Sequence, residues 1–204
     1  MSGFNALRTV LETCLKLKGL HTVTVYAFAI DNFKRDKDEV EALMTLAKRN
    51  LIELAGHGEV LARHSVRLRM VGRRELLPTD VRLAVEKVER MTSGNRRATL
   101  NVCIPYSSRD EVAFAVEKSC RTGPCSRRES KQTGVEQLEE NMMLAHSPPL
   151  DILIRTSGVN RLSDFMLWQV RRTSHSGWAG RHKGRRREGR KAEPSRAERS
   201  GDEL

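Results

Sequence analysis

The chain has 204 residues, enough for one domain and a tail, with a hydrophobic share of 38% and an aromatic share of only 4%. Its formal net charge is +11, but residues 170–204 alone carry 11 Lys and Arg against 5 Asp and Glu. The remainder is only mildly basic, a balance that suits an anionic small ligand as well as nucleic acid, and no apolar run approaches the roughly 18 residues that span a bilayer.

Phe4, Leu7, Val10, Leu11, Leu15 and Leu17 fall near helical spacing and Gly19 is a good stop, so a first helix is expected there. Thr22–Phe28 is rich in β-branched and aromatic residues and reads as a strand. After the loop Ala29–Arg35, a helix begins near Asp36–Asp38, whose acids suit a helix N-terminus. It carries Val40, Leu43, Met44, Ala47, Leu51 and Leu54 on one face until Gly56-His57-Gly58 interrupts it. Val66–Val71 alternates apolar residues with Arg, the mark of a strand exposed on one side. A helix over Thr79–Met91 follows, with Thr79 as N-cap, then a strand at Thr99–Ile104 and a helix at Arg109–Lys118. Cys120–Gly134 is polar, contains Gly and Pro, and is expected to be a mobile loop. A helix over Val135–Ala145 leads to Ser147-Pro148-Pro149 and to Asp151–Ile154, an apolar run that reads as a buried strand. Strands alternating with helices imply an α/β class with a mostly parallel sheet flanked by helices. Beyond Gln169 the chain is Arg-, Gly-, Ser- and Glu-rich, so the expected organisation is a domain over 1–169 and a disordered basic tail over 170–204.

Cys14, Cys103, Cys120 and Cys125 show no paired CxxC spacing, which argues against zinc; they read as reduced thiols, Cys14 and Cys103 within the core. Glu53, His57, Glu59 and His64 lack a metal-ligand spacing and read as solvent-facing. The chain ends in Gly-Asp-Glu-Leu, where Gly replaces the basic or imidazole residue of a retention signal, and the match is read as chance.

The candidate site lies after Ile154, where Arg155, Thr156, Ser157 and Gly158 are followed by Arg161 and Ser163. Ligands of open α/β sheets bind beside the carboxyl ends of strands, and Arg matches phosphate oxygens with a planar fork of donors. Arginines and hydroxyls in this position predict a phosphate or diphosphate site. The loop Ala29–Arg35 leaves its strand at the same end of the sheet, so Asn32 and Arg35 could face a shared cleft; a solvated βα connection is the equal alternative. Tyr106-Ser107-Ser108-Arg109 leaves the third strand at its carboxyl end, where Ser107 or Ser108 reads first as a cap of the next helix and the segment is also a candidate wall of that cleft. Ser93-Gly94-Asn95-Arg96-Arg97 looks like a phosphate turn, but it sits at the opposite end of the sheet and reads as a helix end and turn. The Arg-rich tail has a single aromatic, Trp178, so RNA or acidic-lipid binding by it would be nonspecific, and nucleic acid is not the expected partner.

Residues 24–35 (TVYAFAIDNFKR), 100–112 (LNVCIPYSSRDEV) and 151–169 (DILIRTSGVNRLSDFMLWQ) together resemble a cis-prenyltransferase. The likeness is to the undecaprenyl diphosphate synthase-like family, in particular to eukaryotic dehydrodolichyl diphosphate synthases, and Ile30-Asp31-Asn32-Phe33 is similar to plant members. It runs in unbroken order over residues 3–169. The resemblance implies condensation of isopentenyl diphosphate onto an allylic diphosphate with cis double bonds. It implies that Arg155, Arg161 and Ser163 hold the isopentenyl diphosphate and that Asn32 and Arg35 border the reacting centre. It also implies that Leu43, Met44 and Leu51 line a tunnel for the growing chain. Mg²⁺ would stabilise the departing diphosphate. Implied partners are a second copy or a related subunit and, through the lipid product, a membrane surface; the implied location is the cytoplasm, or the cytosolic face of the endoplasmic reticulum.

Three departures set a second expectation. The family's Asp-Gly-Asn-Arg-Arg strand end, with its metal-binding Asp, has no counterpart before residue 3, and residues 93–97 are at the wrong edge to replace it. After Gln169 the chain turns to Val170-Arg171-Arg172 instead of a final strand with an acidic metal residue, with only an echo at 173–176. Ala29 stands where Ser is usual, and Val159 where Glu is usual. Loss of one preorganised electrostatic group typically costs about 10²–10³ in rate. The expectation is therefore a chain truncated at both ends, without a metal site, impaired or inactive, and poorly stable alone because its sheet has unpaired edges. A noncatalytic subunit of a full-length synthase is the leading alternative, and a basic-tailed nucleic-acid binder a more distant one.

Overall fold

The structure, a computed structural model, describes residues 3–56, 59–122, 134–156, 158–159 and 161–172. Among these residues three parallel strands form one sheet, β1 (Thr22–Tyr26), β2 (Val66–Val71) and β3 (Ala98–Cys103), in the order β1-β3-β2. β3 is central: Thr22 lies opposite Thr99 on one side, and Val66 opposite Ala98 on the other. The helices are α1 (Gly3–Cys14), α2 (Lys37–Ala55), α3 (Val60–Arg63), α4 (Thr79–Thr92), α5 (Ser108–Thr122), α6 (Val135–Glu140) and α7 (Leu167–Arg172). Short 3₁₀ turns at Ile30–Lys34 and Arg74–Leu76 follow β1 and β2.

Burial follows the alternation of the strands. In β2, Val66, Leu68 and Met70 are buried while Arg67 is exposed, as the VRLRMV pattern predicts. These residues join Leu100 and Val102 of β3, Leu51 and Leu54 of α2, and Val81, Val85 and Val88 of α4 in the main core. The opposite face of the sheet carries Thr24, Tyr26, Asn101 and Cys103. There Asn101 Nδ2 donates to Thr24 Oγ1 (3.1 Å) and to Ser147 Oγ (2.9 Å), its Oδ1 being buried without a partner among the described residues. A second apolar cluster, Val71, Cys103, Tyr106, Leu144 and Met166, lies under the carboxyl ends of the strands.

Gly72 is fixed by this geometry. Its φ is +132°, and a Cβ there would sit 2.0 Å from the Pro105 carbonyl oxygen, so only glycine lets β2 leave the sheet so close to the end of β3. Arg73 N donates to that same carbonyl at 2.9 Å.

Several expectations change. The strand expected at Asp151–Ile154 is absent: these residues pair with no strand, and Ile152 and Ile154 are 67% and 72% exposed. An apolar run becomes a strand only where a neighbour takes its backbone hydrogen bonds, and no described strand lies beside it. The helix expected over Val135–Ala145 ends at Glu140, after which turns carry the chain to Ser147. Pro78, not Thr79, occupies the N-cap position of α4. Residues 93–97 are the predicted helix end and turn: Asn95 Nδ2 donates to the Leu61 and Val66 carbonyls, at 3.2 and 2.8 Å. Cys103 is fully buried, as expected, whereas Cys14, also expected in the core, is only partly buried and Cys120 is exposed. Helix α7 crosses the boundary expected at 169; the tail beyond Arg172, Cys125, His57 and most of the expected 120–134 loop lie outside the described residues.

Candidate functional site

The strands end together at Tyr26, Val71 and Cys103, and the loops that follow form the edge at which α/β sheets bind ligands. After β1, Ala29 bridges to Tyr106: Ile30 N donates to the Tyr106 carbonyl and Tyr106 N to the Phe28 carbonyl, each at 3.1 Å. The chain then tightens into the 3₁₀ turn, pinned by Phe33 against Phe28, ring centroids 4.9 Å apart. This places Asn32, half-buried, and Arg35, exposed, on the same edge. The Arg35 guanidinium pairs with Glu39 in the first turn of α2 at 2.5 Å. Asp31 pairs with Lys34 at 2.7 Å, and that hydrogen bond holds its carboxyl below the usual range.

The other half of the site is the turn that runs from Arg155 into α7. Arg155 Nη1 donates to Ser163 Oγ at 2.9 Å and to the Arg161 carbonyl. The three residues assigned to a diphosphate are therefore brought together, Arg161 through its backbone, while its exposed guanidinium has no ion-pair partner among the described residues. Ser157 lies outside the described residues. Two guanidiniums and a hydroxyl at one solvent-facing turn can receive a diphosphate through charge-assisted hydrogen bonds.

Sequence reasoning missed what holds this turn. Ser163, Asp164 and Met166 have φ of 50°, 59° and 51°, left-handed values that cost non-glycine residues about 1–3 kcal/mol each. The surrounding contacts impose them. Asp164 accepts from Ser107 Oγ (2.5 Å), Arg109 N (3.1 Å) and Arg109 Nε (3.1 Å), and its carbonyl accepts from Ser108 N (2.9 Å). Leu167 N donates to Ser108 Oγ at 2.7 Å. The helix cap expected of the Tyr106–Arg109 segment is present, since Ser107 Oγ caps α5 by accepting from Asp110 N at 3.3 Å. Arg109 in turn reaches Asp31 at 3.6 Å, the one ion pair that ties the turn after β1 to the turn before α7 among the described residues. No hydrogen bond or ion pair among the described residues joins Asn32 or Arg35 directly to Arg155, Arg161 or Ser163.

Beneath the turn the packing is aromatic. Tyr26 stacks on Phe165 at 4.7 Å, with Tyr106 edge-on to both, and Tyr26 Oη donates to the Tyr106 carbonyl at 3.1 Å. Burial first, and then the Asp164 charge, pushes the Tyr26 phenol up to about 12. Glu111, fully buried, accepts from Tyr106 Oη (2.6 Å), Leu144 N (2.9 Å) and Gln169 Nε2 (3.1 Å), joining α5 to the segment after β3, the 141–147 turns and α7. A signal for these roles existed in sequence only as acids within polar stretches, SSRDE and LSDF.

Beside Arg35 a cavity of about 470 Å³ opens between α2 and α4, lined by Phe33, Val40, Met44, Pro78 and Val81 among others. Of the three residues expected along a tunnel, Met44 lines this cavity, Leu51 is buried in the core and Leu43 packs against it. The acids nearest the edge fit a metal poorly: Asp31 and Asp164 are paired with Lys34 and Arg109, and Glu111 is committed to three donors. Among the described residues no group of three His, Cys, Asp or Glu side chains is placed to hold an ion.

The family model described as "Putative undecaprenyl diphosphate synthase" matches residues 1–176. The chain belongs to this prenyltransferase family. It is 42% identical over 173 residues to a dehydrodolichyl diphosphate synthase complex subunit of Schizosaccharomyces pombe, covering 85% of this chain and 65% of that protein. It is 41% identical over 174 residues to the corresponding complex subunit of Homo sapiens, covering 85% of this chain and 51% of that one. The chain thus spans between half and two thirds of the length of these relatives. A crystal structure described as a probable undecaprenyl diphosphate synthase from Campylobacter jejuni superposes with a TM-score of 0.73 at 27% identity, over 86% of this chain and 77% of that one. The family fold read from the sequence is the fold observed.

Proposed function

We propose that this chain binds isopentenyl diphosphate through Arg155, Arg161 and Ser163, as part of cis-prenyl transfer onto an allylic diphosphate. The observation that carries the reading is the Arg155–Ser163 hydrogen bond of 2.9 Å, which gathers a guanidinium and a hydroxyl at the ligand-binding edge of the sheet, in a chain of this family. The guanidiniums would take the diphosphate oxygens and hold the double bond of the isopentenyl group toward the turn that bears Asn32 and Arg35. The chain's own residues would bind and orient the diphosphate and exclude water.

Condensing two diphosphates needs two anion subsites, and the described residues gather one such group of guanidinium and hydroxyl. Ala29 and Val159 add no polar side chain to the edge. We therefore expect binding without efficient elongation by the isolated chain. Incubation with radiolabelled isopentenyl diphosphate, farnesyl diphosphate and Mg²⁺ tests both halves. Retention of label with little polyprenyl product supports the reading, ordinary elongation rates remove the impairment while keeping the activity, and no retention at all sinks it.

A second reading, service as a subunit beside another family chain, has its own support. The relatives of Schizosaccharomyces pombe and Homo sapiens are named complex subunits. Among the described residues β1 pairs on one side only, and Ile152 and Ile154 present apolar side chains to solvent. Sedimentation of the chain alone and mixed with a full-length synthase separates the two: a heavier species only in the mixture favours the subunit reading.

A further inference from the structure

The inference rests on the diphosphate reading of Arg155, Arg161 and Ser163 and names what sets their geometry. We propose that Asp164 is a positioning residue for that subsite, clamping the 161–166 turn to the start of α5 so that Ser163 and Arg155 present their donors together.

Asp164 is placed to act through its neighbour and not on a ligand. Its side chain is only 14% exposed, and its two carboxylate oxygens are committed to Ser107 Oγ, Arg109 N and Arg109 Nε. The Arg109 ion pair offsets the negative charge that would otherwise oppose a diphosphate beside it. The adjacent residue, Ser163, is the one that accepts from Arg155. Left-handed backbone at Ser163, Asp164 and Met166 is unfavourable for these residues in isolation, so the turn keeps its shape only while something outside it holds it. That restraint is the Asp164 cluster, reinforced by Leu167 N on Ser108 Oγ at 2.7 Å. Without the clamp, the turn relaxes and the Arg155–Ser163 pair loses its registration.

The clamp works by shape, and shape can be separated from charge. In D164N the side-chain oxygen still accepts from Arg109 N and the new amide can donate to Ser107 Oγ, so two of the three contacts survive while that with Arg109 Nε is lost. In D164E the charge is kept but an added methylene displaces the carboxylate from both partners. Isothermal titration of the full chain with isopentenyl diphosphate, with a thermal melt of each variant, decides the matter. Expected is wild-type-like affinity, within about threefold, for D164N, and a loss of about tenfold or more for D164E and D164A. Should D164A fail to fold, the Asn and Glu variants still give the order. Tight binding by D164E with weak binding by D164N, or equal binding by all, overturns the proposal. A wild-type chain that binds no isopentenyl diphosphate overturns the diphosphate reading beneath it, and R155A, expected to lose binding whatever Asp164 does, keeps the two failures apart.

Discussion

Asp151–Ile154 and Leu162–Gln169 lie a few residues apart, and their fates are the reverse of their hydropathy. The first is nearly all apolar, yet it pairs with no described strand and leaves Ile152 and Ile154 exposed. The second mixes Ser, Asp and Gln with its apolar residues, yet it is anchored at nearly every position. Asp164 grips the start of α5, Phe165 stacks on Tyr26, Met166 is buried, Trp168 Nε1 donates to Glu139 at 3.1 Å, and Gln169 reaches Glu111. Apolarity supplies a driving force for burial, but a segment is placed only where neighbours take its backbone and polar groups.

The anchoring side breaks most sharply at Glu111. Glu111→Ala would leave Tyr106 Oη, Leu144 N and Gln169 Nε2 without their acceptor in a buried setting. The expected loss is about 3–5 kcal/mol in urea denaturation, because stranded buried donors lose their hydrogen bonds without regaining water. A loss under about 1 kcal/mol would show that α7 and the 141–147 turns are held some other way. Phe165→Ala comes next: it removes the stack on Tyr26, with an expected cost of about 2–3 kcal/mol for a partly buried ring. The same variant should weaken isopentenyl diphosphate binding, since the turn bearing Ser163 rests on that ring.

The contrast also explains what was legible in sequence. β2 announced itself because Val66, Leu68 and Met70 face one way and Arg67 the other, and β3 because its run is buried on both faces. Arg155, Arg161 and Ser163 stand out in the sequence because their chemistry and spacing suit an anion, and the structure brings Arg155 onto Ser163 Oγ and the Arg161 carbonyl. The missing strand at 151–154 was not legible, because pairing depends on which other strands lie beside the run. Asp164 was hidden for a related reason: its partners, Ser107 and Arg109, are more than fifty residues away, and only the fold brings them to it.

Tyr26 gives a pH test of the same anchored region. Burial raises its folded phenol to about 12 from an unfolded value near 10. The folded state then holds its proton over a range in which the unfolded chain has released it. Stability contributed by the neutral phenol is fully present below pH 10 and is lost as pH rises from about 10 toward 12. The stability of the wild type should fall across that window, and Tyr26→Phe should flatten this part of the fall. An identical slope in both proteins would mean that the phenol meets water as freely in the folded state as in the unfolded one.

The smallest effect belongs to the apolar segment, and it is the most direct check on the comparison. Ile154→Ser replaces three carbons with a hydroxyl on a residue that is 72% exposed, so the melting midpoint should move by less than about 2 °C, within the roughly ±0.5 kcal/mol of surface changes. Leu68→Ala, deleting three carbons from a side chain 1% exposed in β2, should cost about 2–5 kcal/mol. If Ile154→Ser instead destabilised the isolated chain as much as Leu68→Ala, the segment would be packed in solution, and its apolar sequence would have been the better guide. If the two variants behave alike only when a second family chain is present, Ile154 is buried by that partner, and the exposed run is one side of an interface.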